Sequence, residues 1–154
     1  MDGVLCNFEQ RYRENFGNIL EHDRRTVFKP NFAKFISDGQ FATLDLMPDA
    51  LELIEYLNGL DIPKEILSST AYEHTYDEIS KQKSSWLDTH NITWPRNFVP
   101  GKKHKYKWAT PRSVIIDDTL SVIEDWERAG GIAIHHKMAS TTNAELSLLA
   151  LIVA

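Results

Sequence analysis

The sequence predicts an α/β fold, a doubly wound parallel sheet with helices on both faces, from two features of its second half and one of its first. Beyond residue 60, short apolar runs alternate with longer amphipathic stretches, an order of strand, helix, strand, helix that implies parallel pairing. Two of the apolar runs, "EILSST" and "SVIIDD", end abruptly in hydroxyl or acidic residues, at the strand ends where open α/β sheets hold their ligands. Residues 8–45 carry no strand pattern and read as a small helical cap, joined to the α/β part in one domain over 1–154.

Each element has a local reason. In "NFEQRYRENF", Phe8, Tyr12 and Phe16 recur every four residues and lay an aromatic stripe along a helix face, which suits core packing. "EHDRRTVFKPNFAKFISDGQF" is broken by Pro30 and Gly39, so short helical pieces are expected. "MPDALELIEYLNGL" reads as a helix with Pro48 in its first turn, Leu51, Ile54, Leu57 and Leu60 as its apolar positions, and Gly59 near its stop. "KEILSST" is a strand, and "YEHTYDEISKQKSSWLDTHNI" a long polar helix with Ile79, Trp86 and Leu87 inward. "WPRNFVPG" is a short extended piece, "SVIIDD" a strand, "TLSVIEDWERAGG" a helix closed by glycines, and "IAIHH" a last strand. The terminal "STTNAELSLLALIV" begins with hydroxyl caps and turns apolar throughout, so deep packing is expected.

Composition narrows the function classes. A net charge of -5 argues against a binder of nucleic-acid polymer, which needs a basic surface, but leaves room for a basic pocket holding one phosphate. The single cysteine, Cys6, excludes an internal disulfide and suits a reducing compartment. No signal-peptide pattern is present and no apolar run nears the roughly 18 residues of a membrane span, so a cytoplasmic protein without a membrane partner is expected.

The chemistry concentrates at strand ends. Asp117 and Asp118 follow a buried run directly, and adjacent carboxylates resist joint ionisation unless a cation sits between them, for which Mg²⁺ is the simplest hard ion. Standing alone, the pair fits a solvated turn with Asp118 capping the next helix equally well. Ser68 and Ser69 offer hydroxyls to a phosphate oxygen, and "GKKHKYKWA" offers Lys102, Lys103, Lys105 and Lys107 to its charge, although a lone lysine run is more often a solvated face. His74, His90, His104, His135 and His136 show no zinc spacing with cysteine, and the last two read as structural or exposed.

In order, "MDGVL", "ILSST", "KYKWA" and "IIDD" resemble the four motifs of the haloacid dehalogenase superfamily of phosphohydrolases. With "DGVLCNF" and "FATLDLMPDALELIEYL", the chain is similar over nearly its whole length to the 5'(3')-deoxyribonucleotidases, including bacteriophage-encoded relatives. The resemblance implies a Rossmann-like sheet with a helical cap inserted after the first strand, Mg²⁺ as cofactor, and hydrolysis of deoxyribonucleoside monophosphates. It implies that Asp2 is general acid and base, with its backbone carbonyl on the metal. It assigns Ser68, with Ser69 beside it, to phosphate, Lys105 to the third motif with Lys107 as rival, and Asp118 to direct and Asp117 to direct or water-mediated contact with Mg²⁺.

One departure stands out. The family's nucleophilic aspartate falls immediately before Met1, and the strand leading into it falls there too, so the first strand reads as truncated. The expectation is that Met1 is the middle residue of an Asp-x-Asp motif in a chain that starts upstream, and that these 154 residues alone are inactive. The alternative is a shortened, nonenzymatic phosphate-binding protein; a phosphatase for another small ester also stays open. Phe8, Phe28, Phe32, Phe35 and Phe41 offer an aromatic wall for a nucleobase but suit cap core better, and Arg24 and Arg25 offer contacts to a phosphate or base edge. Base preference, sugar preference and the choice between monomer and homodimer are open.

Overall fold

The computed structural model describes residues 1–153, with side-chain surroundings through Ala150. Strand β1 (Ile66–Ser69) runs parallel to β2 (Arg96–Val99), with Ile66 opposite Arg96, and β3 (Val114–Asp117) runs parallel to β4 (Ile132–His135), with Val114 opposite Ile132. The crossovers are helices, α4 (Tyr76–Thr89) between β1 and β2 and α5 (Leu120–Arg128) between β3 and β4, as parallel pairing demands. The three runs expected as strands are strands, and the extended piece at "WPRNFVPG" is a fourth.

The single continuous sheet is not formed, because β1 and β3 are not hydrogen-bonded to each other; the four strands make two two-stranded sheets. The two pairs nevertheless share their faces. Leu67 of β1 joins Ile115 of β3 and Ala133 of β4 against Val122, Ile123 and Trp126 of α5, while Ile66 and Ile116 belong to the main core on the other side. The result is one α/β layer interrupted in its middle. At the interruption the first residues make a tight turn, with the amides of Val4, Leu5 and Cys6 all on the carbonyl of Met1 at 3.1, 2.7 and 3.2 Å. Asn7 N–H to Asp45 O and Met47 N–H to Leu5 O, each 2.8 Å, fasten this turn to residues 45–47.

Helix α3 (Ala50–Gly59) starts two residues after Pro48, and its buried positions are Ala50 and Leu53, with Ile54 and Leu57 half-buried. Leu51, expected on the apolar stripe, is 65 % exposed, since the core lies a quarter-turn away. The inward set of α4 is as expected, Ile79, Trp86 and Leu87 being fully buried. Helix α6 (Ala139–Val153) is expected to pack deeply, but through Ala150 it does not, and the side chains of 151–153 lie outside the described residues. It buries Ala139, Thr142 and Leu146 on one face and leaves Leu148 exposed, since a helix laid on a surface has only one face to bury. Asp49, just before α3, accepts the amide of Ala139 and so caps α6 from another element.

Residues 8–45 form α1 (Phe8–Phe16), a turn of 3₁₀ helix (Ile19–Glu21), a π-helix (Arg24–Phe28), α2 (Lys29–Ser37) and a second 3₁₀ turn (Gln40–Thr43). Asn7 caps α1 through the amide of Gln10, and Asp23 caps the π-helix through the amides of Arg25 and Thr26. The phenylalanines pack on one another: Phe8 stacks on Phe41 with centroids 5.7 Å apart, Phe35 meets Phe41 edge-on, and Phe28 stacks on Phe32. This cluster is continuous with Leu53, Ile66 and Trp86, so the cap shares one core with the α/β layer and presents no open aromatic wall.

Gln82 of α4 joins the two parts. Its amide donates to Ile36 O at 2.8 Å and accepts from Phe41 N–H at 3.1 Å, while Trp86 donates to Leu44 O at 2.7 Å. Removing the Gln82 amide strands the Phe41 N–H, which costs about 1–3 kcal/mol, and leaves Ile36 O with the Gly39 amide at 3.0 Å. Gln82→Leu is therefore expected to lower the urea midpoint and to speed amide exchange in residues 29–44 more than in β3 and β4. Uniform exchange over both regions would contradict this joint.

Candidate functional site

Three stretches far apart in sequence meet at the carboxyl ends of β1 and β3. Ser68 and Ser69 end β1, Asp117 ends β3 with Asp118 beyond it, and the turn carrying Asp2 and Gly3 lies between them. Gly3 has φ of +72°, and a Cβ there would fall 1.9 Å from Oδ2 of Asp118, so glycine is required both by its backbone and by the carboxylate lying on it. The "DG" of the opening stretch and the "DD" of the fourth are thus in van der Waals contact.

A residue that the sequence reading passed over organises this meeting. Lys83 of α4 is 1 % exposed and directs its ammonium at three acceptors: Asp2 Oδ2 at 2.8 Å, Ser68 Oγ at 2.9 Å and Ser69 O at 2.7 Å. Three donors meet three acceptors, which satisfies the charge that burial would otherwise make very costly. The same nitrogen stands 5.2 Å from the centre of the Phe41 ring, a cation–π contact with the cap. The signal was present in the sequence: Lys83 occupies the fourth step from Ile79 on the face that continues to Trp86 and Leu87, and a lysine on an apolar stripe requires an anionic partner.

The second lysine is Lys105, in the 3₁₀ helix Lys102–Trp108. Its ammonium meets Asp117 Oδ2 at 2.6 Å, and the side chains are 8 % and 7 % exposed. Lys107, its rival in sequence, is exposed, as are Lys102 and Lys103. Ser68 is buried with its hydroxyl on Lys83. The hydroxyl of Ser69, on the opposite side of the strand, accepts the amide of Ala71 at 3.0 Å.

The three carboxylates differ in charge environment. Burial alone would raise Asp117, but the Lys105 ammonium, together with the Thr119 amide at 2.9 Å, holds it below the ordinary carboxylate value. Asp2 is likewise lowered, burial being outweighed by Lys83, the amino terminus and the hydrogen bonds from Lys83 and Cys6. Asp118 goes the other way: partial desolvation and the neighbouring Asp117 push it up. It has no lysine or arginine partner among the described residues, and its side chain is open to solvent.

Among the described residues no three His, Cys, Asp or Glu side chains are grouped as a metal site. Asp2, Asp117 and Asp118 do not converge as side chains, since the first is engaged by Lys83 and the second by Lys105. The oxygen donors still suit a magnesium ion, which takes few protein ligands and keeps its waters. Asp118 carries an uncompensated negative charge, and the carbonyl of Asp2 accepts no hydrogen bond among the described residues.

The histidines stand apart from this chemistry. His136 is buried, sharing a 2.8 Å hydrogen bond with Thr142, and burial lowers its pKa. His135 reaches the carbonyl of Asp118 at 3.0 Å, and His90 stacks on Trp86. No helix of the described residues is long and apolar enough to cross a membrane.

Comparison of the chain with protein-family models, with curated proteins and with solved structures finds no match.

Replacing Lys105 by methionine leaves Asp117 buried without its cation, which costs about 3–5 kcal/mol. The sign of the pH dependence should change with it. In the unaltered protein, the lowered Asp117 contributes stability that is complete above the unfolded pKa of about 3.9 and is lost as pH falls through the folded value. In Lys105→Met the unpaired Asp117 is raised above 3.9, so its penalty is relieved as the medium is acidified, and urea midpoints at pH 7 and pH 4 should converge on those of the unaltered protein at the lower pH. A constant difference across that range would dissociate Asp117 from Lys105.

Proposed function

We propose that this chain carries the site of a Mg²⁺-dependent phosphomonoesterase of the haloacid dehalogenase type, a 5'(3')-deoxyribonucleotidase acting on deoxyribonucleoside monophosphates. The observation that carries the reading is the meeting of Asp2, Ser68, Lys105, Asp117 and Asp118, drawn from four separate stretches, at one edge of a parallel α/β layer, with the buried ammonium of Lys83 joining that of Lys105 there.

On this reading the substrate phosphate enters between β1 and β3 and takes hydrogen bonds from the Ser68 hydroxyl and the Lys83 and Lys105 ammonium groups. The nucleophilic carboxylate sits two positions before Asp2, on a strand entering between the unpaired edges of β1 and β3. That strand would join the two half-sheets into one and deliver its last residue beside Ser68 and Asp118. The nucleophile's oxygen bonds to phosphorus as the ester P–O bond breaks, and Asp2 gives its proton to the departing oxygen. Asp2 then takes a proton from water, whose oxygen attacks phosphorus and frees inorganic phosphate and the carboxylate.

Lys83 holds Asp2 ionised in the resting site, as the base role requires. A phosphate dianion drawing the ammonium toward itself would leave Asp2 free to accept the proton needed for the acid role. Mg²⁺, held by Asp118 and the carbonyl of Asp2 with Asp117 beside them, would supply charge neutralisation for the phosphoryl oxygens. The support for a nucleoside leaving group lies outside the packed phenylalanines. Tyr72, in the loop after Ser69, stacks on the exposed His74 at 5.3 Å and 11° and stands half-exposed at the rim, a flat face within reach of a base.

The 154 residues extended at the amino end by an apolar strand ending in aspartate should release phosphate from dUMP or dTMP only with Mg²⁺, and without that extension should release none. Asp2→Asn is expected to cut kcat by about 10²–10⁴, and Asp118→Ala to abolish the response to Mg²⁺. Full activity of either variant overturns its assignment, and failure of the extended protein on every nucleotide and small phosphate ester overturns the reading as an enzyme.

A further inference from the structure

The end of β4 closes over the turn formed by Asp117 and Asp118, and two consecutive histidines each take one of its carbonyls. β4 pairs with β3 as far as Asp117 opposite His135, and the ladder runs one step further, the amide of His136 donating to Asp117 O at 2.8 Å. Asp118 lies beyond the ladder. Its carbonyl accepts the Nε2–H of the His135 ring at 3.0 Å, the only hydrogen bond that carbonyl takes among the described residues. A carbonyl oxygen can only accept, so the ring proton sits on Nε2. Helix α5 does not serve this carbonyl, because Thr119 is extended (φ -97°, ψ 112°) and presents its own oxygen to the amides of Val122 and Ile123.

The Asp118 side chain has little else to aim it. Asp117 is gripped by Lys105 and by the Thr119 amide, whereas from other described residues the Asp118 carboxylate receives only the Thr119 hydroxyl at 3.4 Å, too long to fix a direction. The carboxylate nevertheless lies on Gly3, where a Cβ would overlap Oδ2. Its direction therefore comes from the backbone that carries it, and the His135 ring holds the peptide plane that follows the Asp118 Cα.

Resting on the reading of Asp118 as the magnesium ligand, we infer that His135 is a positioning residue for that ion: its Nε2–H fixes the Asp118 peptide and so keeps the carboxylate aimed along the Gly3 side of the turn. His135 needs to touch neither metal nor substrate, since it acts through the backbone. Outer partners of this kind set metal affinity, because a ligand already aimed loses less freedom on binding. Water can satisfy the Asp118 carbonyl once the ring is gone but does not fix the plane, so the loss falls on affinity more than on folding.

Mg²⁺ binding needs no turnover, so the 154-residue protein serves for the test, an isotope-labelled sample being titrated with MgCl₂ while the amide shifts of Gly3, Asp118 and Thr119 are followed by NMR. His135→Phe keeps a ring and loses the donor, and is expected to raise the Mg²⁺ concentration at half-saturation about tenfold or more. His135→Gln keeps an N–H at similar reach and should recover most of that loss. His135 is half-buried at a strand end, so the urea midpoints of both variants should stay near that of the unaltered protein. If the phenylalanine variant does not fold, His135→Leu, equally without a donor, takes its place. Equal half-saturation in the unaltered and donorless proteins overturns the positioning role and leaves Asp118 as the ligand. Equal loss in the glutamine and donorless variants also overturns it, since the ring rather than the hydrogen bond would then matter. Absence of any Mg²⁺-dependent shift at Gly3, Asp118 and Thr119 in the unaltered protein overturns the ligand assignment and this inference together.

Discussion

The buried ammonium of Lys83 is the interaction on which the candidate site depends. It arrives from α4, a helix whose neighbouring side chains on the same face are Ile79, Trp86 and Leu87, and ends among Asp2, Ser68 and Ser69. One charged group therefore ties the amino-terminal turn to the end of β1 and, through Phe41, to the cap. Without it, Asp2 would be a partly buried carboxylate with only a thiol to bond, and Ser68 a buried hydroxyl without its partner. The pair Lys105–Asp117 repeats the device at the end of β3. Two lysines, each neutralised by one aspartate, leave Asp118 as the carboxylate whose charge is unmatched, and that imbalance makes a cation at this edge chemically sensible.

The architecture brings these groups together through shared faces rather than through a continuous ladder. β1 with β2 and β3 with β4 are separate parallel pairs, yet α5 covers Leu67, Ile115 and Ala133 as if they belonged to one sheet. Parallel pairs expose both faces and need cover on each, which the main core and α5 supply. The cap contributes to the same core through Phe32, Phe35 and Phe41, and Gln82 and Trp86 fasten its backbone to α4. The cap's edge is consequently held close to the 69–75 loop, which is why Arg24 meets Tyr72.

How much of this was legible beforehand varies with the kind of signal. The strands 66–69, 96–99, 114–117 and 132–135 were readable because short apolar runs bounded by polar residues have few other uses. The positions of Asp2, Ser68, Asp117 and Asp118 were readable because strand-end chemistry in α/β proteins falls on one side. Lys83 escapes a reading based on apolar periodicity, because a lysine counts against that pattern rather than for it. Leu51 was misplaced for a related reason: several apolar residues on α3 permit more than one stripe, and only the position of the core selects between them. The deep burial expected of α6 is not met through Ala150, because a run of leucines and alanines reports hydrophobicity but not how much surface its neighbours can offer.

By itself the sequence determined the order of helices and strands and the set of carboxylates and hydroxyls at strand ends, since each depends on local spacing along the chain. The tertiary structure alone decided that Lys105 rather than Lys107 turns inward, that Lys83 joins the site, that the phenylalanines close on one another, and that the sheet is interrupted between β1 and β3. Those outcomes turn on which groups meet across long stretches of chain, and a buried charge or an unpaired strand edge is fixed by the partner it finds in space, which no neighbour in sequence specifies.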